Sequence, residues 1–304
     1  MKHVRAVVWL RCIAALLIIN SHMLFLYPPG FQFLSFGGLF GNCLFMLISG
    51  YCLADVRGSF VSWTARRLIR VYVPYLIVTV LSVFLSVGEE LSPGELLLPV
   101  GRYHFIASIV TLYPVWYLLC RVSRKYGIPF RAMLPVAAVS LTLAFFLMDY
   151  RSYGLYIHYN LFELLCFLTL MLLGASMREG LFPRKPFLLA GVTVASFSAY
   201  AIVSLCLAVP VKNLLLWYLA GLLVYSLSGF FLSIEEKLPE PLLIRIVSSI
   251  TLEMYLLQFQ IILWTQSMVF PFSFVVCVLS VLVSAWLLHE LSSRISAPLV
   301  RRLR

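Results

Sequence analysis

Arg11 and His22 stand eleven positions apart inside the first apolar stretch, RCIAALLIINSH. Eleven helical steps are about three turns, so the two side chains share a face and lie roughly 16 Å apart along the axis. Ionisable groups inside a membrane helix are costly and usually line a protein interior that serves a function. An imidazole gains and loses a proton near neutrality, so His22 has the chemistry of a general base or an acyl acceptor. A guanidinium can stabilise negative charge on a carbonyl or a phosphate. The pair reads as a reaction site near one membrane face with a conduit behind it. The simpler alternative is an interfacial histidine and an arginine reaching back to water along its own stem.

Four further groups have side chains suited to chemistry. Ser49, Gly50 and Tyr51 close the second apolar stretch, FMLISGYCLA, where small residues also permit close helix packing. Arg67 and Arg70, three apart in ARRLIRVYVPYL and beside Arg66, share a helical face and could grip phosphate through paired charge-assisted hydrogen bonds. Plain topological anchoring would use the same residues. Glu253 and Tyr255 lie in SSITLEMYLLQ, and Glu163 lies in another apolar stretch. A buried Arg11 needs a carboxylate partner. Glu253 is the expected one, because both residues fall about 10 Å inside the same face. Glu163, about 6 Å from the opposite face, is expected near His22.

The elements that position these groups follow from composition. A chain of 304 residues that is 62% hydrophobic and 12% charged departs far from a soluble domain, in which the apolar share is about half and the charged share about a quarter. Windows of about 20 apolar residues predict ten spans, near 4–27, 36–54, 71–88, 103–120, 132–149, 159–177, 187–209, 213–233, 246–266 and 273–292. The expectation is a single all-α domain over residues 1–304, a polytopic membrane bundle. With the N-terminus inside, all 23 basic residues fall on the cytoplasmic side except Arg102, Arg151, Lys212 and the intramembrane Arg11. That bias places both termini in the cytoplasm. It explains the net charge of +11 by topology and anionic lipid rather than by nucleic acid. Arg11 and His22 interrupt the first apolar run and no small-residue cleavage site follows it, so it is expected to remain as an uncleaved helix. The seven cysteines and five histidines show no paired or ligand spacing, so no metal site is expected and the cysteines read as small packers.

Taken together, these segments resemble the acyltransferase-three family of bacterial integral-membrane proteins. The resemblance rests on Arg11 and His22 with ten residues between them, on Ser49-Gly50-Tyr51, and on Arg67 and Arg70 followed by Tyr72 and Pro74. It extends to the YHF at 103–105 and to LEMYLLQ at 252–258. Cys12, Ile106 and Gln258 depart from the family pattern, Gln258 standing where a late histidine is common. Ten helices is the family's core count, and no appended esterase-like domain is expected.

The resemblance implies transfer of an acyl group, most commonly acetyl from acetyl-CoA, to a hydroxyl of a surface or extracellular glycan or its lipid-linked precursor. It places the protein in the bacterial inner membrane as a multi-pass chain. Acyl-CoA would be a donor substrate, with no permanently bound cofactor. His22 and Arg11 become the catalytic pair. Arg67, Arg70, Ser49 and Tyr51 become donor-binding residues, and Glu253, Tyr255 and Glu163 become supporting ones. With the first span starting at residue 4, His22 lies about 27 Å into a core some 30 Å thick, near the outer face. A transporter or flippase for a lipid-linked saccharide is the alternative. It predicts repeated or matched broken helices in the two halves, and neither is evident.

Overall fold

A computed structural model describes residues 4–84, 103–147, 161–206 and 211–303. Its regular elements are helical. They are α1 (Arg5–His22), α2 (Gly38–Leu53), α3 (Phe60–Phe84), α4 (His104–Tyr126), α5 (Phe130–Leu147), α6 (Leu161–Arg178), α7 (Pro186–Cys206), α8 (Lys212–Ser233), α9 (Leu242–Ser249), α10 (Thr251–Thr265) and α11 (Phe272–Arg302). Short 3-10 turns cover Met23–Leu26 and Gln32–Leu34. Among the described residues, nine helical segments are long and apolar enough to cross a membrane, or ten if α9 and α10 are one bent span. An all-helical solution is what a hydrocarbon solvent demands, since each backbone N–H and C=O must be satisfied within its own segment. The protein is a multi-pass membrane helical bundle.

Three differences from the hydropathy windows bear on the site. The third helix begins at Phe60 rather than near 71, so Arg66, Arg67 and Arg70 are helical. The last helix runs to Arg302, ten residues past the expected end. Hydropathy marks where the apolar run stops, whereas backbone hydrogen bonding continues into water. The expected ninth span is broken at Ile250, where α9 and α10 meet at 77°. Ser249 Oγ donates to the Ile246 carbonyl at 2.7 Å, and the Ile250 N–H turns back to Ile246 and Val247. Serine hydroxyls of this kind offer the backbone an alternative to the helical ladder. Lys2, Arg102, Arg151 and Arg304, and the expected span ends at 85–88, 148–149, 159–160 and 207–209, lie outside the described residues.

The chain groups into two compact units, with α1, α2 and α4 each contributing one end to each. The first unit holds residues up to Leu10, Asn42–Val56 and Ala107–Glu240. Within it α5 packs on α6, and α8 packs on α7 and α6. Trp116 is fully buried, donates through Nε1 to the Leu53 carbonyl at 3.0 Å and stacks on Phe130. Small residues set the approach of α2 to α6. A Cβ on Gly50 would sit 1.9 Å from the Met171 carbonyl oxygen, and one on Gly174 would sit 1.9 Å from that of Leu47. Backbone therefore lies on backbone, an approach only glycine permits.

The second unit holds Arg11–Gly41, Arg57–Ile106 and Pro241–Arg304. Here α11 packs on α10 and α3. Its buried positions Ser273, Cys277, Val281, Ala285, Leu288 and Ser292 recur every three or four residues, one stripe along the helix. After α1 the chain turns through Pro28, Pro29 and Gly30. Asn20 ties that turn back by donating to the Leu34 and Phe36 carbonyls and accepting from the Tyr27 hydroxyl at 2.6 Å.

Candidate active site

The second unit encloses a cavity of about 550 Å³. Arg11 from α1, Arg70 from α3 and Arg301 from α11 line it, together with Glu253 from α10 and His289 from α11. Ser248, Ser249, Thr251, Ser292, Ser293 and Ser296 complete a hydroxyl-rich wall. The break at Ile250 brings the start of α10 to this wall, since Thr251, Leu252 and Glu253 all line it. A helix N-terminus carries partial positive charge and free N–H groups. The cavity thus gathers three guanidinium groups, one helix N-terminus and several hydroxyls around a single carboxylate. That combination favours a ligand with several negative charges.

Arg11 and Glu253, matched in depth by sequence, share this cavity, and among the described residues no direct ion pair joins them. Among the described residues, Glu253 Oε1 is paired with His289 Nδ1 at 2.9 Å. The Glu253 side chain is 6% exposed and that of His289 is 34% exposed. The register of α11 decides this, because it brings the imidazole within hydrogen-bond distance of the carboxylate on α10. His289 and Arg301 were both missed by sequence reasoning. His289 satisfied the criterion that singled out His22, a titratable side chain inside an apolar span, and Arg301 was counted only as a topological charge.

The other expected residues are distributed as follows. His22 ends α1, where the chain turns into the 3-10 segment, and part of its surface is accessible. His104, at the start of α4, lies close enough to interact with it electrostatically. Since α1 is unbroken between Arg11 and His22, the roughly 16 Å spacing along one face holds. Arg67 stacks over the Trp63 ring, 5.5 Å from its centroid, while its neighbour Arg70 faces the cavity. Tyr255 is buried and packs edge-on against Tyr103 and beside Phe105. Tyr103 in turn meets Tyr75 edge-on. With the Gln260 amide oriented to satisfy both ends, its oxygen accepts from the Tyr103 and Ser82 hydroxyls at 3.0 and 3.3 Å. Gln258 is buried in α10.

Ser49, Tyr51 and Glu163 belong to the first unit. There Gly50 of the same motif is a packing residue, and Arg178 at the end of α6 donates to the Tyr51 and Cys52 carbonyls at 3.2 and 3.3 Å. Glu163 is 2% exposed in the first turn of α6 and interacts electrostatically with Cys43 and Cys166.

Fold and cavity together define a multi-pass membrane protein with a cavity lined by three arginines and a histidine about three helical turns farther along α1. The sequence model of one family, described as an acyltransferase domain, matches residues 4–290. The chain belongs to this acyltransferase-three family and is a membrane acyltransferase. No curated protein and no solved structure matches it.

Proposed function

We propose that the protein transfers an acyl group, most commonly acetyl, from acyl-CoA to a hydroxyl of a surface or extracellular polysaccharide or its lipid-linked precursor, working from the bacterial inner membrane. The observation that carries this reading is the three-arginine cavity at the broken helix, in the same unit as His22. Coenzyme A carries a diphosphate and a phosphate monoester, which suit clustered guanidinium groups. Helix breaks of this kind elsewhere in membrane proteins turn half-helix N-termini toward anionic groups. The positive-inside bias puts both chain termini in the cytoplasm, where the donor is found, and Arg301 near the C-terminal end of α11 lines the cavity.

In this reading Arg11, Arg70 and Arg301 hold donor phosphates. The pantetheine arm then follows the face of α1 toward His22, and its thioester reaches the imidazole near the outer side. The acceptor hydroxyl attacks the thioester carbonyl as its proton passes to His22. The carbon–sulfur bond breaks, the ester forms, and the thiol is released. An acyl-histidine formed and then discharged by the hydroxyl gives the same balance. The place of His22 at the end of α1 suits a base that must meet a sugar arriving from outside.

The test is donor kinetics of the purified, reconstituted chain, followed by thiol release from acetyl-CoA. Losing both Arg70 and Arg301 as alanine variants raises the donor KM tenfold or more and leaves the acceptor KM unchanged, since charge-assisted contacts contribute about 1.5–3 kcal/mol each. An unchanged donor KM removes the cavity from donor binding.

A further inference from the structure

The three arginines have a role in the donor reading, but the best-defined ion pair of the cavity does not. His289 Nδ1 lies 2.9 Å from Glu253 Oε1, and the imidazole lines the cavity beside Arg11, Arg70 and Arg301. An ionised carboxylate only accepts hydrogen bonds, so Nδ1 must carry the proton of that contact. Nε2 is then the nitrogen left for a ligand. In the neutral imidazole it offers a lone pair, which repels a phosphate oxygen. In the imidazolium it offers an N–H, which binds one. The state of that single nitrogen decides whether His289 opposes or supports an anion in the cavity.

We infer that His289, oriented by Glu253, is a fourth cationic contact for the donor's phosphates and sets the pH range over which the donor binds. The inference rests on reading the cavity as the donor site. Glu253 on α10 is bonded to His289, Glu290 on its own helix interacts with it electrostatically, and Arg11, Arg70 and Arg301 share the cavity lining. An entering phosphate adds negative charge and draws a proton onto Nε2. Donor binding is therefore coupled to proton uptake. His289 acts through binding and not at the reacting carbon, which lies some three helical turns away beside His22.

The test is equilibrium titration of CoA into the full chain in lipid nanodiscs, at about pH 6 and about pH 8.5, on either side of the imidazole range. CoA's own phosphate monoester gains charge with a pKa near 6, which opposes the expected trend. The comparison is therefore between wild type and His289→Gln, whose amide donates at every pH. Relative to that variant, wild-type affinity should weaken about tenfold from the lower to the higher pH, the worth of one charge-assisted hydrogen bond. Glu253→Gln keeps the side-chain shape and removes the charge that favours the imidazolium, so its loss of affinity should set in at lower pH than in wild type. A purely structural His289–Glu253 pair would leave these profiles unmoved. Identical pH profiles in wild type and His289→Gln overturn the inference, even where Arg70→Ala weakens binding about tenfold and the donor reading stands. If CoA binds none of these folded proteins at either pH, the donor reading falls and the inference with it.

Discussion

Replacing Gly50 by alanine would put a methyl carbon 1.9 Å from the Met171 carbonyl oxygen, on backbone that cannot rotate away. Even the tightest real contacts of this kind are near 3.0 Å, so α2 and α6 must part by about 1 Å at this point. Overpacking typically costs 1–3 kcal/mol. The better helix propensity of alanine recovers about 1 kcal/mol of that. Separation also loosens the neighbouring contact of Gly174 on Leu47 and the Arg178 bonds to Tyr51 and Cys52. A net loss of about 2 kcal/mol follows, equivalent to a Tm drop of roughly 3 °C for a chain of 304 residues. Thermal unfolding in nanodiscs, followed by tryptophan fluorescence, measures it. Gly174→Ala should behave alike, and the double variant should fall well short of additive, because helices already parted for one methyl accommodate the second. A wild-type Tm for Gly50→Ala, or strict additivity of the pair, would refute the reasoning.

Replacing His22 by alanine should abolish acyl transfer while the chain still inserts and binds CoA, and near-wild-type turnover would remove His22 from the mechanism. Arg70→Ala should raise the donor KM about tenfold, the scale of one charge-assisted contact. Arg67→Ala should change it far less, because Arg67 stacks on Trp63 while Arg70 faces the cavity; steady-state kinetics with varied donor separates them. Trp116→Phe removes the buried donor to the Leu53 carbonyl and should cost about 1–3 kcal/mol, read as a lower Tm without a change in KM. Raising salt should weaken donor binding and leave the acceptor KM unmoved, since arginine–phosphate contacts are screened.

Hydropathy located the membrane helices because lipid tolerates little else, and it failed where water replaces lipid. The turns of α3 that carry Arg66, Arg67 and Arg70 and the last turns of α11 are polar enough to lie beyond an apolar window, yet they stay helical. The break at Ile250 has no proline or glycine to announce it. Its signal was the Ser248-Ser249 pair, which reads equally well as ordinary helix. Arg11 and Glu253 could be matched in depth because depth follows from counting residues along a span. The partner of Glu253 could not be read, because it depends on the rotation of α11 about its axis. Gly50 was legible as a small packing residue, whereas its closeness to Met171 needed the position of α6.

The most direct test of the account uses inverted membrane vesicles and acetyl-CoA labelled in the acetyl group, supplied on the cytoplasmic face with a glycan extract enclosed. The account requires label to appear as alkali-labile ester on the enclosed glycan, with one thiol released outside for each ester formed. It also requires both signals to vanish in His22→Ala. Thiol release without any label in the glycan, or ester formation undiminished in His22→Ala, would contradict it.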